Sequence, residues 1–322
     1  MMISVAMATY NGEKYLEKQL LSIFNQTILP NEIVIVDDCS TDKTVQLIQS
    51  LSHKTNIILR IYTNEYNLGY KKNFYNALSY CKGDYIFLCD QDDEWEYNKI
   101  EILLKLMEKK SISVLSSSFS LIDQNSKDIF IKKKFGFSNQ NFYKRRVKNN
   151  ELVKVPLEDL LFHNMSQGCS LVITNQVRKT FLEYFDDTIP HDWQLNIIGA
   201  MNDATYFYNK KLFKYRLHEN NTIGYGINNI GINEKMSLKV RVMTVKDCVM
   251  ICNYVSKIDG SYILNHKSIL KLMNFSKKHI EYLSDLRIIK LILQNFNPRY
   301  FRIKSFKGRI ADILYVIVNK FK

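Results

Sequence analysis

Apolar runs and amphipathic stretches alternate along the first third of the chain. Four runs have the length of buried parallel strands, and these are Ile3–Met7, Glu32–Val36, Ile57–Tyr62 and Tyr85–Cys89. Between the runs, apolar residues recur at helical spacing, as they do from Leu16 to Phe24. A strand–helix order repeated in this way predicts an α/β fold with a mostly parallel sheet and right-handed crossovers.

Carboxylates follow two of these strands. Asp37 and Asp38 come after the second strand, and Asp90, Asp92 and Asp93 come after the fourth. The carboxyl ends of parallel strands meet at one edge of the sheet, where open α/β folds bind ligands. Crowded carboxylates repel one another unless a cation or water relieves the charge. The pattern therefore predicts a divalent cation site at this edge.

A second interpretation of the later acids is an acidic turn in which Asp93 or Glu94 caps the following helix. The stretch by itself favours neither interpretation. Acids arriving at one edge from two strands favour the cation, because a helix cap does not explain the pair after the second strand.

Glycine loops that bind phosphate are missing from the sequence. A dinucleotide site needs G-x-G-x-x-G after the first strand, whereas Ala8–Gly12 reads ATYNG. A Walker A loop is also missing. A phosphate ligand would therefore depend on Mg²⁺ or Mn²⁺ held by the acidic cluster.

The motifs, in this order, resemble family 2 glycosyltransferases of GT-A fold and are closest to bacterial rhamnosyltransferase-like members. The matching residues are ATYNG at Ala8–Gly12, NQT before Pro30, VDDCSTD at Val36–Asp42, NLG at Asn67–Gly69 and DQDD at Asp90–Asp93. The resemblance implies a GT-A type α/β fold, with a Rossmann-like, mostly parallel sheet flanked by helices and a helical C-terminal region. Cys39 departs from the family, which usually has glycine there.

The triplet His191-Asp192-Trp193 stands where the resembled family carries its catalytic base. Inverting glycosyl transfer needs one carboxylate that takes the proton of the attacking hydroxyl. The alternative is that Asp192 only complements the dipole of a helix that starts at Pro190.

The segment Arg216–Gly224 resembles the R-x-H-x-x-N-x-x-G closing motif of the rhamnosyltransferase-like group. Arg216 would pair with phosphate oxygens, and a neutral His218 would complete the metal sphere. Without the motif, a lone histidine would be taken as structural.

The resemblance thus implies a nucleotide-sugar site and a metal site. Asp38 would accept a hydrogen bond from the N–H of uracil or thymine in a UDP- or dTDP-sugar. The residues implied at the nucleotide sugar are Ala8, Thr9, Tyr10, Asp38, Asp90, Gln91 and Arg216. Those implied at Mg²⁺ or Mn²⁺ are Asp90, Asp92, Asp93 and His218, with Asp192 as the catalytic base.

Positive charge is concentrated in the C-terminal third. Residues 226–322 hold 18 basic and 6 acidic residues, out of a net charge of +13 for the whole chain. Near the end, an apolar stripe is formed by Ile310, Ile313, Leu314, Ile317 and Phe321. The stripe predicts either an amphipathic helix on an anionic membrane surface or a helix that packs on the domain.

Composition bounds the class of protein. The 322 residues are 46% hydrophobic and carry six scattered cysteines, which favours a packed protein with reduced thiols in the cytoplasm. We expect no signal peptide and no membrane-spanning run. The predicted organisation is a donor-binding half at 1–110, an acceptor half at 111–225 and a basic helical region at 226–322. The basic loop Lys132–Asn150 is either a surface loop or a flap over the site.

The leading hypothesis is an inverting, metal-dependent glycosyltransferase acting on a glycan or lipid-linked acceptor in bacterial surface polysaccharide synthesis. It would be cytoplasmic or peripheral on the inner membrane face, with no nucleic-acid partner. The sequence does not indicate an oligomeric state. A sugar-phosphate nucleotidylyltransferase would need a glycine-rich loop after the first strand. A nucleic-acid-binding protein would use the basic C-terminal region, where no recognition motif is found.

Overall fold

A computed structural model of the chain describes residues 1–132, 146–219, 237–259 and 266–320. The chain forms two compact units. Unit 1 comprises Met1–Leu160 and Asn164–Tyr225, and unit 2 comprises Leu161–His163 and Gly226–Lys322. The division of the first 225 residues at residue 110 stays a prediction.

Unit 1 is an α/β unit, as the alternating pattern predicts. Its strands are β1 (Ile3–Thr9), β2 (Glu32–Asp37), β3 (Ile58–Thr63), β4 (Tyr85–Cys89), β5 (Glu94–Trp95), β6 (Val114–Ile122), β7 (Asp128–Ile129), β8 (Leu152–Lys154), β9 (Leu171–Thr174) and β10 (Thr205–Arg216). Its helices are α1 (Leu16–Phe24), α2 (Thr44–Ser52), α3 (Tyr70–Tyr80), α4 (Lys99–Lys110), α5 (Leu157–Leu160), α6 (Asn175–Tyr184) and α7 (His191–Met201).

The strands of unit 1 form one mixed sheet. Among the described residues its order is β3-β2-β1-β4-β9-β6-β10-β5, with β7 beside β6 and β8 beside β10. The first four strands are mutually parallel, as predicted. Strand β9 runs antiparallel to both β4 and β6, and β6 is again parallel to β10. A reversed strand therefore lies between the four parallel strands and the parallel pair β6–β10, and β5, β7 and β8 pair antiparallel with that pair.

The register of the central strands brings their acidic ends together. Strand β1 pairs with β2 up to Thr9 and Asp37, and with β4 up to Met7 and Cys89. The acids that follow β2 and β4 therefore leave the sheet at one edge, which confirms the predicted convergence. All of β2 is buried, as is nearly all of β1 and β4, so these strands are fixed by packing on both faces.

Unit 2 is helical, in agreement with the prediction for the C-terminal region. Its helices are α8 (Leu238–Asp259), α9 (His266–Ser284), α10 (Ile288–Gln294), α11 (Pro298–Ile303) and α12 (Phe306–Lys320). An apolar core forms around Leu283, Leu291 and Val316. In the described ranges, no helix combines the length and apolar content that crossing a membrane requires.

A buried carboxylate ties the last helices of unit 2 together. Asp312 is fully buried, and it accepts hydrogen bonds of 2.9 Å from both the Tyr300 hydroxyl and the Lys304 ammonium. Its Oδ2 also lies 3.3 Å from Nε2 of His279. A buried charge held by several partners is costly to disturb, so α12 is part of the core of unit 2.

Candidate active site

The acids after β4 form a compact group of metal-binding atoms. One oxygen each from Asp90 and Asp93 and the sulfur of Cys169 lie within 4.8 Å of one another. Asp93 is fully buried, and its Oδ1 accepts a 3.1 Å hydrogen bond from the backbone N–H of Arg216. Its Oδ2 is buried with no hydrogen-bond partner among the described residues. An orphaned carboxylate oxygen beside a second carboxylate fits a divalent cation.

The alternative that these acids cap a helix is wrong. Helix α4 begins at Lys99, after Asn98, and its N-cap makes no side-chain hydrogen bond. The residue after the cluster, Glu94, instead opens the short strand β5, which pairs with β10. The acids are therefore held for another purpose than helix initiation.

Asp92 and His218 form a second pair at the same edge of the sheet, which we call the acidic edge. His218 Nε2 lies 2.7 Å from Asp92 Oδ2, and its ring lies 4.9 Å from that of Tyr15. The four implied metal ligands are thus placed in two neighbouring pairs, with Asp90 and Asp93 in one pair and Asp92 with His218 in the other.

Electrostatic repulsion acts within this edge. Burial, and then the charge of Asp92, raises the pKa of Asp90 to about 7. Burial also raises the pKa of Asp93 far above its ordinary value, and the charges of Asp92 and Asp90 add to the rise. Burial likewise raises the pKa of the Cys169 thiol, so a bound cation would draw its negative ligands from the carboxyl groups, which lose their protons more readily than the thiol. Oxygen ligands suit Mg²⁺ and Mn²⁺.

Lys99 is a buried cation beneath the acids, and sequence reasoning missed it. Its ammonium donates to the carbonyl of Cys169 at 2.8 Å and lies 3.9 Å from the ring centroid of Trp95. Burial lowers its pKa to about 8, which leaves it mainly charged at neutral pH. A lysine in the first turn of an amphipathic helix normally points to water, so the sequence carries no signal for this role.

Arg216 has a different set of partners from the phosphate oxygens that the resemblance implies. Its guanidinium is fully buried and donates to the carbonyls of Asp92 at 2.7 Å and Asp123 at 2.9 Å. It also binds Ser126 Oγ at 3.1 Å and the carboxylate of Glu94 at 2.5 Å. The N–H groups of the guanidinium are thus occupied by protein acceptors. Arg216 thereby holds the loop Asp90–Asp93, called the acidic loop below, against the end of β10.

The loop after β1 is locked to the acidic loop by one amide side chain. Gln91 accepts from the backbone N–H of Tyr10 at 2.8 Å and donates to the Tyr10 carbonyl at 2.9 Å. The hydroxyl of Thr9 donates to Asp37 at 2.9 Å, and Ala8 is half-buried on β1. The Tyr10 ring, 46% exposed, is the open apolar surface of this loop.

Asp38 is a buried acceptor at the end of β2, only 2% exposed. It accepts hydrogen bonds of 2.8 Å each from the Asn64 amide and the backbone N–H groups of Leu68 and Gly69. A carboxylate offers about four acceptor positions, so one remains for a ligand. Gly69 has φ +80°, a conformation that glycine adopts without strain; the NLG motif thus serves to present two N–H groups to Asp38.

The turn after Asp38 contains the departure noted in the sequence. Cys39 has φ +64°, in the left-handed region where glycine is favoured. The turn keeps its shape because Asp37 accepts from the backbone N–H and the hydroxyl of Ser40, at 2.8 and 2.6 Å. Cys39 therefore adopts the backbone conformation that glycine favours, and the Asp37–Ser40 hydrogen bonds hold the turn.

Asp192 lies in the first turn of α7 and is 7% exposed. Burial raises its pKa to about 6, although the backbone N–H of Trp193 donates to it at 2.8 Å. Its charge contributes to the raised pKa of Asp90, so the two carboxylates share one electrostatic environment. A carboxyl with this pKa is ionised at neutral pH and basic enough to take a proton.

His191 does not share the role of proton acceptor that the geometry supports for Asp192. Its ring stacks on Phe74 with centroids 4.1 Å apart, and burial lowers its pKa to about 3. A Cβ at Gly168 would lie 2.6 Å from the imidazole Nε2. The glycine before Cys169 therefore allows this packing.

Unit 1 thus brings the sequence-predicted residues to one edge of the sheet. The side chain of Arg216 is the exception, because it is buried and bonded to protein groups. Lys99, Glu94 and Cys169 join them as residues that the motifs do not mark. Asn221 and Gly224 of the closing motif, and residues 133–145 of the basic loop, lie outside the described residues.

Comparisons with known proteins point to one family. Residues 4–167 match the model described as glycosyl transferase family 2. An uncharacterized glycosyltransferase of Haemophilus influenzae is 26% identical over 92% of this chain and 98% of its own length. The dTDP-rhamnosyl transferase RfbG of Shigella flexneri is 28% identical over 80% of this chain and 87% of its own.

A solved structure shows the same architecture. S. aureus TarS 1-349 in complex with UDP-GlcNAc aligns with a TM-score of 0.58 and 17% identity, covering 99% of this chain and 91% of that one. At this level of identity the likeness shows the fold alone. The fold is the GT-A type expected from the motifs.

Gly12→Ala tests the lock between the two loops. An added Cβ would lie 2.3 Å from Gln91 Oε1, so the amide must leave Tyr10. Because two hydrogen bonds of about 1 kcal/mol each are lost, we expect the free energy of unfolding to fall by about 2 kcal/mol. Urea denaturation measures this. Gly308→Ala is the control, since its Cβ first meets Ser305 Oγ at 3.4 Å; equal losses in both variants would contradict the lock.

Proposed function

The chain belongs to glycosyl transferase family 2, and from this premise we propose an inverting, divalent-cation-dependent glycosyl transfer. The sugar would pass from a nucleoside diphosphate donor to a glycan or lipid-linked oligosaccharide in the synthesis of a bacterial surface polysaccharide such as capsule, O-antigen or lipooligosaccharide. The observation that carries the proposal is the meeting of Asp90, Asp93 and Asp192 in one electrostatic environment at the sheet edge.

Family membership makes the chain a glycosyltransferase. The sugar-phosphate nucleotidylyltransferase that the sheet pattern left open is thereby excluded. The donor is a finer question. The name of RfbG mentions dTDP-rhamnosyl transfer, and the TarS structure contains UDP-GlcNAc; both support a pyrimidine nucleotide sugar as the donor of this chain.

We assign recognition of the base to Asp38 and Tyr10. The remaining acceptor position of Asp38 suits the imide N–H that uracil and thymine share, and cytosine lacks this donor. The exposed ring of Tyr10 offers a surface on which a base can stack. Ala8 and Thr9 support this site through the backbone of β1, because the Thr9 hydroxyl is already engaged by Asp37.

We assign the divalent cation, Mg²⁺ or Mn²⁺, to Asp90, Asp92, Asp93 and His218. The cation would supply charge neutralisation for the diphosphate as it becomes the leaving group. The orphaned oxygen of Asp93 supports the assignment. The pKa of Asp90 supports it too, because burial and the charge of Asp92 raise it even though the Lys99 ammonium is nearby. Gln91 holds the acidic loop against Tyr10 on the nucleotide side.

The reaction then needs one base. The Asp192 carboxylate takes the proton of the acceptor hydroxyl while the hydroxyl oxygen forms the bond to the anomeric carbon. The bond from that carbon to the phosphate oxygen breaks, and its electron pair leaves with the nucleoside diphosphate. Attack on the face opposite the leaving group inverts the anomeric configuration, and no protein acid is required because the leaving group is a stable anion.

We assign Arg216 a positioning role rather than the phosphate contact. The contacts of its guanidinium to the Asp92 carbonyl and the Glu94 carboxylate fix both sides of Asp93. The acids can then face a ligand without spreading apart under their mutual repulsion.

Asp192→Asn tests the base. The amide keeps the size of the side chain but cannot accept a proton, so we expect transfer to fall at least about 100-fold while donor affinity is unchanged. Nucleotide release from a panel of UDP- and dTDP-sugars with Mn²⁺ and a bacterial lipid extract measures the first, and calorimetry the second. Asp203→Asn, at an exposed aspartate just beyond the same helix, is the control. Retained turnover in Asp192→Asn would refute the assignment.

The pH profile provides an independent test of Asp192. The ionised carboxylate is the active form, and burial raises its pKa to about 6. We therefore expect kcat/KM, with Mn²⁺ saturating throughout, to be constant near neutrality and to fall about tenfold per pH unit below about 6. This fall of kcat/KM at acidic pH should persist in Asp203→Asn and should be missing from any residual activity of Asp192→Asn. A profile that stays flat to about pH 4.5 would show that the base is another group.

A further inference from the structure

Unit 2 exposes apolar side chains at a density found nowhere else in the described chain. Ten of the nineteen large hydrophobic side chains that the described residues expose lie between residues 289 and 318. They are Ile289, Ile292, Leu293, Phe296, Phe301, Phe306, Ile310, Leu314, Ile317 and Val318. We call these ten side chains the C-terminal apolar face. Exposed apolar groups that cluster in this way mark interaction surfaces.

The spacing of these residues shows that whole helix faces are exposed. On and just after α10, Ile289, Leu293 and Phe296 recur at helical spacing and are 71%, 57% and 82% exposed. On α12, Ile310, Leu314 and Ile317 form a second exposed stripe. The opposite side of α12 is the buried one, with Asp312 and Val316 in it. The stripe seen in the sequence therefore faces outward, although Ile313 is half-buried and Phe321 lies outside the described residues.

The two stripes are joined by aromatic residues around one cation. The guanidinium carbon of Arg309 lies 3.8 Å from the ring centroid of Phe301 and 5.6 Å from that of Phe306. The same guanidinium reaches Oδ1 of Asn295 at 3.4 Å, next to Phe296. The end of α10, helix α11 and the start of α12 thus contribute to one continuous surface.

Charge along this segment is almost entirely positive, and the exposed Asp285 just before it pairs with Arg287 at 3.1 Å. Residues 286–320 contain eight basic residues and one acidic residue. The acidic residue, Asp312, is fully buried and paired with Lys304. Lys290, Lys307 and Lys320 are exposed beside the apolar side chains. No carboxylate side chain from this segment therefore offsets the exposed lysines.

We propose that the C-terminal apolar face docks onto the surface of an anionic phospholipid bilayer. Phenylalanine and aliphatic side chains would enter the boundary between headgroups and acyl chains, and the lysines would lie against lipid phosphates. Nucleic acid would satisfy the lysines but would leave the isoleucine and leucine stripes in water. The proposal rests on unit 2 alone, so it stands or falls separately from the transfer reaction.

Sedimentation with vesicles tests the proposal on the full chain. The probes are vesicles of phosphatidylcholine with about 30 mol % phosphatidylglycerol and vesicles of phosphatidylcholine alone. We expect binding to the anionic vesicles that weakens as NaCl rises from about 0.1 to about 1 M. Failure of the wild-type chain to sediment with anionic vesicles would overturn the proposal.

A matched pair of triple variants locates the surface. Phe296→Ser, Ile310→Ser and Leu314→Ser together remove apolar area from the face, and we expect the partition constant to fall at least about tenfold. The control combines Phe130→Ser, Ile58→Ser and Leu29→Ser, which are the same residue types at exposed positions of unit 1. Unchanged binding of the first variant, or an equal loss in the control, would contradict the assignment.

A charge variant keeps the test valid if the triple variant fails to fold. Lys290→Ala with Lys307→Ala leaves the apolar side chains in place and should lower the partition constant about 30-fold, or about fivefold per lysine. Sedimentation velocity and duplex DNA binding complete the experiment. A dimer that the Phe296 triple variant abolishes, without vesicle binding, would show that a second copy covers the face. Tight DNA binding without vesicle binding would assign the lysines to nucleic acid.

Discussion

Repulsion among buried carboxylates is the constraint on which the acidic edge of unit 1 depends. Asp90 and Asp93 lie close enough to share one ligand. Asp93 is fully buried and Asp90 half-buried, so little water screens their charges. Two buried cations oppose this repulsion. Lys99 donates to the carbonyl of Cys169, and Arg216, at the end of β10, donates to the carbonyl of Asp92. The loop is therefore held in a shape that a dication and a diphosphate can complete.

The sequence predicts the elements that follow from local pattern. Apolar runs of strand length ending in acids were sufficient to place Asp38 and Asp90 at one sheet edge. The role of Lys99 could not be predicted, because its environment is made by Cys169, which lies 70 positions away in the chain. The protein partners of Arg216 could not be predicted for a similar reason, and its implied phosphate contact stays a prediction. A guanidinium suits phosphate and carboxylate equally, and only the fold reveals that Glu94, 122 positions earlier, occupies it.

The two units manage charge in opposite ways. In unit 1 two cations, Lys99 and Arg216, are buried near the acids that converge on the sheet edge. In unit 2 the acid Asp312 is buried and the lysines of α10 and α12 are exposed beside apolar side chains. This division explains why the excess positive charge of the chain is confined to the C-terminal third.

Anomalous diffraction from crystals grown with Mn²⁺ and UDP or dTDP, whichever stabilises the protein, tests the central claim most directly. The account predicts a manganese peak in contact with a carboxylate of the Asp90–Asp93 loop and with the diphosphate. It also predicts the pyrimidine N–H at Asp38. A bound nucleotide with no manganese at this loop, or with its base away from Asp38, would contradict the account.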